Sequence, residues 1–278
     1  TTYKTRVTIG VEDTAGNAMS SQHVTSTGFT TSSSASSNSS IALGYWHSCA
    51  ILDDSSVKCW GMNQRGQLGI DSNINVGDGP GEMAQLTGIN LGTGRTATAI
   101  AGGGQHTCAI LDNASVKCWG YNDDGQLGID STLREIGKSS GNMAALPVVK
   151  LGTGRTATAI AAGNEHTCAI LDDSSVKCWG MNQRGQLGID SNINVGDGPG
   201  EMAQLTGINL GTGRTATAIA SGDVHTCAVL DDGSVKCWGR NNYGQLGIGN
   251  TDDTGNASGE MAQLTGINLG TGRTATAT

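Results

Sequence analysis

From residue 41 onward the chain passes four times through one order of apolar and polar positions. A Gly-rich approach leads into a run such as His-Thr-Cys-Ala-Ile-Leu. A short polar break follows, and then a second run, Ser-Val-Lys-Cys-Trp-Gly. Alternation of period two on both sides of a turn predicts a β-hairpin in each unit. A Gly-Gln-Leu-Gly loop comes next, then a long variable loop at 71–90, 130–150, 190–209 or 249–268, and finally the strand-like run Arg-Thr-Ala-Thr-Ala-Ile-Ala or its counterpart. Both faces of the hairpin carry apolar residues. With a three-residue loop in the third unit, Cys168, Ile170, Val176 and Cys178 share one face, and Ala169 and Leu171 take the other. A sheet buried on both faces fits a blade sandwiched between blades, so the expected class is all-β.

The units are near copies. Residues 49–101 recur letter for letter as 168–220, and looser copies begin at Cys108 and Cys227, giving steps of 59, 60 and 59 residues. Such a period marks a repeat architecture whose units bury a core only by stacking. The expected units are about 41–100, 101–160, 161–219 and 220–278. The exact copy lies 119 residues away, so the element duplicated is a pair of units.

All eight cysteines fall in four C-x9-C pairs: Cys49/Cys59, Cys108/Cys118, Cys168/Cys178 and Cys227/Cys237. A three-residue loop, with Gly233 in a left-handed conformation, sets Cys227 opposite Cys237 and within reach of a cross-strand disulfide. A two-residue loop would place Cys227 opposite Trp238 instead. Ser55, Ala114 and Ser174 stand where the fourth unit has Gly233, so the register stays open at this level. Free, buried thiols in a reducing compartment are the alternative. Zinc is disfavoured by the lack of a C-x2-C partner. Disulfides would imply an oxidising, extracellular or cell-surface location.

Net charge is −8 with no basic block, which disfavours nucleic acid as a partner. Aromatic residues make up 4% of the chain against 44 glycines, a composition suited to thin strands and many turns. No apolar run approaches membrane-spanning length. Residues 1–31 differ in character: two alternating segments flank Asp13-Thr14-Ala15-Gly16-Asn17, a hairpin turn by composition. This piece resembles the last hairpin of a bacterial Ig-like domain, in which such a turn precedes a strand ending like Phe29-Thr30-Thr31. The Ser-rich stretch 32–40 reads as a flexible linker. Starting within such a hairpin and stopping within a unit, the chain is expected to be a window on a longer polypeptide.

Residues His106-Thr107-Cys108-Ala109-Ile110-Leu111, Val116-Lys117-Cys118-Trp119-Gly120-Tyr121-Asn122 and Gly125-Gln126-Leu127-Gly128 resemble the repeats of the regulator of chromosome condensation family, and they do so four times over about 235 residues. The paired cysteines and the Pro-Gly-Glu-Met loops at Pro80 and Pro199 look like the secreted bacterial and algal form. The resemblance implies a β-propeller of four-stranded antiparallel blades, usually seven. Four blades leave the ring incomplete within this chain, to be filled by further repeats, by another chain, or not at all in an open superhelical stack. The family's nucleotide-exchange activity is not carried over to an acidic, cysteine-paired chain.

His47, His106, His166 and His225 stand once per unit just before a strand. A ring holding a ligand or metal is one reading, and a structural role, each tying its own turn to backbone, is the expected one. Trp60, Trp119, Trp179 and Trp238 are expected to pack blade on blade, with the indole N–H meeting a turn carbonyl. The extra Trp46 is read as capping the array's end. Asp71, Asn73, Asn75 and Glu82, repeated as Asp190, Asn192, Asn194 and Glu201, mimic the oxygen spacing of a calcium loop. Val76 or Val195 occupies the turn position that wants Gly, so a plain surface loop is the favoured reading and no cofactor is required. No nucleophile elbow, phosphate loop or carboxylate pair stands out, and a catalytic site would break a symmetry that is here kept to identity. The chain is therefore expected not to be an enzyme. It reads as an extracellular structural or adhesive repeat protein, a surface or fibre building block that self-associates or meets other surface proteins or glycans. The alternative is a propeller recognising a glycan or protein through its variable loops.

Overall fold

A computed structural model describes residues 40–276, together with the backbone at Thr2–Tyr3, Arg6–Val7, His23–Val24 and Phe29–Thr30. The chain divides into two compact units, Thr1–Ser36 and Ser37–Thr278. In the first, Arg6–Val7 pairs antiparallel with His23–Val24, and Thr2–Tyr3 with Phe29–Thr30. The expected turn at 13–17 lies outside the described residues, as does the Ser-rich linker apart from its last residue.

In the second unit each blade is an antiparallel sheet of three consecutive strands. The first strands are Ile41–Leu43, Ala97–Gly102, Ala157–Ala162 and Ala216–Ser221. Middle strands run over His47–Ile51, His106–Leu111, His166–Leu171 and His225–Leu230. The third strands are Val57–Gly61, Val116–Tyr121, Val176–Gly180 and Val235–Gly239. A fourth strand, Glu135–Ile136, completes the second blade, and single bridges from Gly61 to Val76, Gly180 to Val195 and Gly239 to Thr254 hold that place in the others. First strands of successive blades pack side by side. These are the blades of a β-propeller, four of them, with the ring incomplete.

The run that ends each sequence unit pairs forward. Ala97–Gly102 forms its ladder with His106–Leu111 of the next hairpin. Only three residues separate the two strands, so the chain turns straight back on itself. Arg95 and the Thr96 N–H both bind Asp112 in the following hairpin loop, which fixes the start of the strand there.

The hairpin loop has three residues. Leu230 N–H donates to Ser234 O, and Gly233 takes φ 74°. Ser55, Ala114 and Ser174 adopt the same left-handed conformation at φ 63°, 60° and 63°, a strain that a loop of this length imposes on a non-glycine residue. Cys49 thus faces Cys59, Cys108 faces Cys118, Cys168 faces Cys178 and Cys227 faces Cys237, and all four pairs are disulfide-bonded. Every residue of the middle strands His106–Leu111 and His166–Leu171 is buried, as expected of blades covered on both faces. No helix among the described residues is long and apolar enough to cross a membrane.

Candidate functional site

The most elaborate chemistry lies in the joints between blades. His47 Nε2 stands 2.8 Å from Thr107 Oγ1 of the next blade. The Thr107 hydroxyl donates to the Gln67 carbonyl at 2.8 Å, and Trp119 Nε1 donates to the same oxygen at 3.0 Å. A hydroxyl has one proton, and here the carbonyl takes it. His47 must therefore donate from Nε2, which leaves Nδ1 an unprotonated acceptor. His106, Thr167, Gln126 and Trp179 repeat the arrangement, and so do His166, Thr226, Gln186 and Trp238. These three histidines tie their blades to the next one, whereas the sequence suggested a bond to their own turn. Burial pushes the His47 ring down to about 4, and His106 and His166 to about 3 with help from a neighbouring histidine, so all three are neutral at pH 7.

Two further contacts lock each joint. Trp119, Trp179 and Trp238 are fully buried against Gly69, Gly128 and Gly188, where an added Cβ would stand 2.6–2.7 Å from the indole nitrogen. Asp71 reaches across to accept N–H groups of Gly141 and Met143 at 3.0 and 2.9 Å, capping the one-turn helix Asn142–Ala145 of the next blade. Asp190 does the same for Gly259 and Met261, and Asp130 for Met202. Polar pairs complete the seam: Arg65 with Glu135, Asn194 with Asp124, and Arg184 with Asp253.

The eight residues read as a calcium loop are dispersed by these contacts. Asp71 and Asp190 face the following blade. Asn75 and Asn194 accept the N–H of Asn63 and Asn182, and Glu82 and Glu201 fold back onto Gly77 and Gly79 or Gly196 and Gly198. Asn73 and Asn192 are exposed. Among the described residues no group of three or more His, Cys, Asp or Glu is placed to hold a metal ion. The sequence reading passed over Asn63, Asn122, Asn182 and Asn241, whose buried amides clamp the Gly-Gln-Leu-Gly loop through Leu68, Leu127, Leu187 and Leu246 N–H. Their four-fold recurrence after Trp-Gly was the available signal.

A family model described as Regulator of chromosome condensation (RCC1) repeat matches residues 54–110, 115–170 and 173–229, more than half of the chain, and a second model of that description matches 39–67, 97–126, 157–186 and 216–245. The chain belongs to the RCC1 repeat family. It is 32% identical over 213 residues to a human probable E3 ubiquitin-protein ligase, HERC3, covering 76% of this chain and 18% of that protein. The Ultraviolet-B receptor UVR8 of Arabidopsis thaliana is 28% identical over 217 residues, covering 77% of this chain and 43% of the receptor. Yeast RCC1 (Prp20), in its crystal structure bound to Kap60, superposes with TM-score 0.61 at 21% identity, over 84% of this chain and 49% of that one. The chain thus spans about a fifth of HERC3 and about half of the solved propeller. What it shares with the ligase is its RCC1-repeat part.

Among the described residues, the leading face of the first blade and the trailing face of the fourth have no neighbouring blade against them. On the leading face of the first blade Trp60 is only half-buried, Met83 is 44% exposed, and Ser48 replaces the joint threonine. Their counterparts Trp119, Thr107 and Met143 are buried. The trailing face of the fourth blade has His225 half-buried, Tyr243 86% exposed, and open space beside Gly244, where Gly66, Gly125 and Gly185 touch the next blade. Gly249 stands where the other blades place the capping aspartate.

Proposed function

We propose that this chain is an extracellular or cell-surface structural protein, a building block whose RCC1 blades assemble head to tail with a second copy. The observation that carries the reading is the complementarity between the leading face of the first blade and the trailing face of the fourth. The trailing blade offers the Gln245 carbonyl and His225 Nε2, and the leading blade offers Trp60 Nε1 and the Ser48 hydroxyl. These are the same donors and acceptors that meet at the three internal joints, with Gly247 in the place that receives the indole. The missing aspartate at Gly249 leaves this joint one helix cap weaker. A head-to-tail contact is heterologous, so it either closes into a ring or runs on as a filament.

Four disulfides fit an oxidising compartment, and no reaction is assigned to the chain. Light scattering and electron microscopy over a concentration series test the assembly. The expected result is a mass that grows with concentration and falls back to the monomer in Trp60→Asp. A monomer at every concentration overturns the proposal. Mass analysis after alkylation without reductant tests the compartment, because eight alkylated thiols in the native material would contradict it.

A further inference from the structure

Identity between the first and third units stops at Cys49 and Cys168. Just before these cysteines, Tyr45 and Trp46 stand where Asn164 and Glu165 stand 119 positions later. The four side chains meet in one cleft of about 250 Å³, completed by Arg65, Gln105 and Tyr121. Where the array departs from its own repetition, the departures converge on one place.

The cleft combines aromatic surface with an unpaired acid. Tyr45 and Trp46 are 51% and 58% exposed, in edge-to-face contact with centroids 5.9 Å apart. The half-buried Glu165 carboxylate has no hydrogen-bond or ion-pair partner among the described residues. Burial, then the nearby charges of Asp124, Asp223 and Asp123, raise its carboxyl above the usual range. The one cation lining the cleft is already engaged: Arg65 binds Glu135 at 2.5 Å and lies 4.8 Å above the Tyr121 ring. Tyr45 donates its hydroxyl to Asp223, and Tyr121 donates to Asp123 at 2.6 Å. Of the charged and phenolic side chains that line the cleft, Arg65, Tyr45 and Tyr121 have partners and Glu165, beside the open aromatic faces, has none among the described residues. A cation answers both, because an ammonium or guanidinium is drawn to an aromatic face and to a carboxylate alike.

We propose that this cleft receives the Lys or Arg side chain of a basic segment on a partner protein, its alkyl stem lying on Trp46 and Tyr45 and its charge meeting Glu165. The cleft has the size of a side chain, below the roughly 300–1,000 Å³ of sites that enclose a whole small molecule. The proposal does not depend on head-to-tail assembly, since the cleft is complete within one copy.

Tetralysine is the probe, titrated by calorimetry at low and moderate salt, with Nε-acetylated tetralysine and butylammonium in parallel. Trp46→Ala and Glu165→Gln are both expected to weaken tetralysine about tenfold, the scale of one desolvated cation contact. Asp54→Asn removes the same charge at an exposed loop tip and is expected to leave the affinity unchanged. The acetylated peptide should not bind, and butylammonium should bind far more weakly than tetralysine. Equal losses in all three variants would reduce the effect to attraction by the net negative charge and overturn the site. Absence of tetralysine binding also overturns it, and butylammonium binding as tightly as tetralysine would overturn the assignment to a protein segment.

Discussion

Thr167→Val removes one hydroxyl from the middle joint and little volume. In the folded protein that hydroxyl accepts from His106 Nε2 at 2.9 Å and donates to the Gln126 carbonyl at 2.9 Å. The carbonyl keeps the Trp179 indole N–H as a partner. The His106 ring keeps none, because its Nδ1 is already buried without a hydrogen bond and the ring is wholly inaccessible. An N–H stranded in this way costs about 1–3 kcal/mol. For a unit of this size that corresponds to a melting temperature lower by roughly 2–4 °C per kcal/mol. Thr167→Ser preserves the hydroxyl, as Ser48 does in the first blade, and is expected to stay near the parent. Differential scanning calorimetry of the oxidised protein at pH 7 reads the difference. If Thr167→Val melts no lower than Thr167→Ser, the hydroxyl is not bridging the blades and the joint has been misread.

Acid should loosen the same joints. The folded rings of His47, His106 and His166 titrate at about 4, 3 and 3, below the ordinary 6.5 of the unfolded chain, so between those values the unfolded state binds more protons. Stability from this source is complete above about pH 6.5 and is lost as pH falls toward 3–4, by roughly 1.4 kcal/mol per pH unit for each neutral ring. Denaturant midpoints from pH 7 to 4 check it, and a flat profile would refute it. Asp71→Ala should cost about 0.5–2 kcal/mol by uncapping the helix of the next blade. It should do so equally with calcium or chelator present, whereas a calcium-dependent stabilisation that Asp71→Ala abolishes would instead restore the ion-binding reading of that loop.

Alternation and the cysteine spacing made the hairpins legible, since a period of two needs only neighbouring residues to be read. The loop register was not legible. It depends on Ser55, Ala114 and Ser174 accepting a positive φ that their side chains disfavour. The partner of His47, His106 and His166 was not legible either, because the threonine each one meets lies about 60 residues away. The partners of the acidic loops were not legible from their spacing: Asp71 meets N–H groups about 70 residues away, while Glu82 binds those of Gly77 and Gly79 in its own loop. Tyr45, Trp46 and Glu165 could be seen only as departures from a repeat, and nothing in their spacing announces that they meet.

The joints also explain why the duplicated element is two blades long. On its trailing face the first blade presents Arg65 to Glu135, and the third presents Arg184 to Asp253. The second presents Asp124 to the Asn194 amide. Arg–acid and Asp–Asn seams therefore alternate along the array. Copying a single blade would set Arg65 against Asn75, a carboxamide already holding the Asn63 N–H through its oxygen, and the guanidinium would face the amide's own N–H groups. A copied pair ends in Asp124 and begins with Asn75, so its tail fits its head. A copied pair therefore joins to itself through the same Asp–Asn seam that already links the second and third blades. The fourth blade breaks the pattern with Tyr243 and Gly249, both on its trailing face. A head-to-tail contact made there lacks both the capping aspartate and the charged seam residue of the other blades, so it should be weaker than any internal joint.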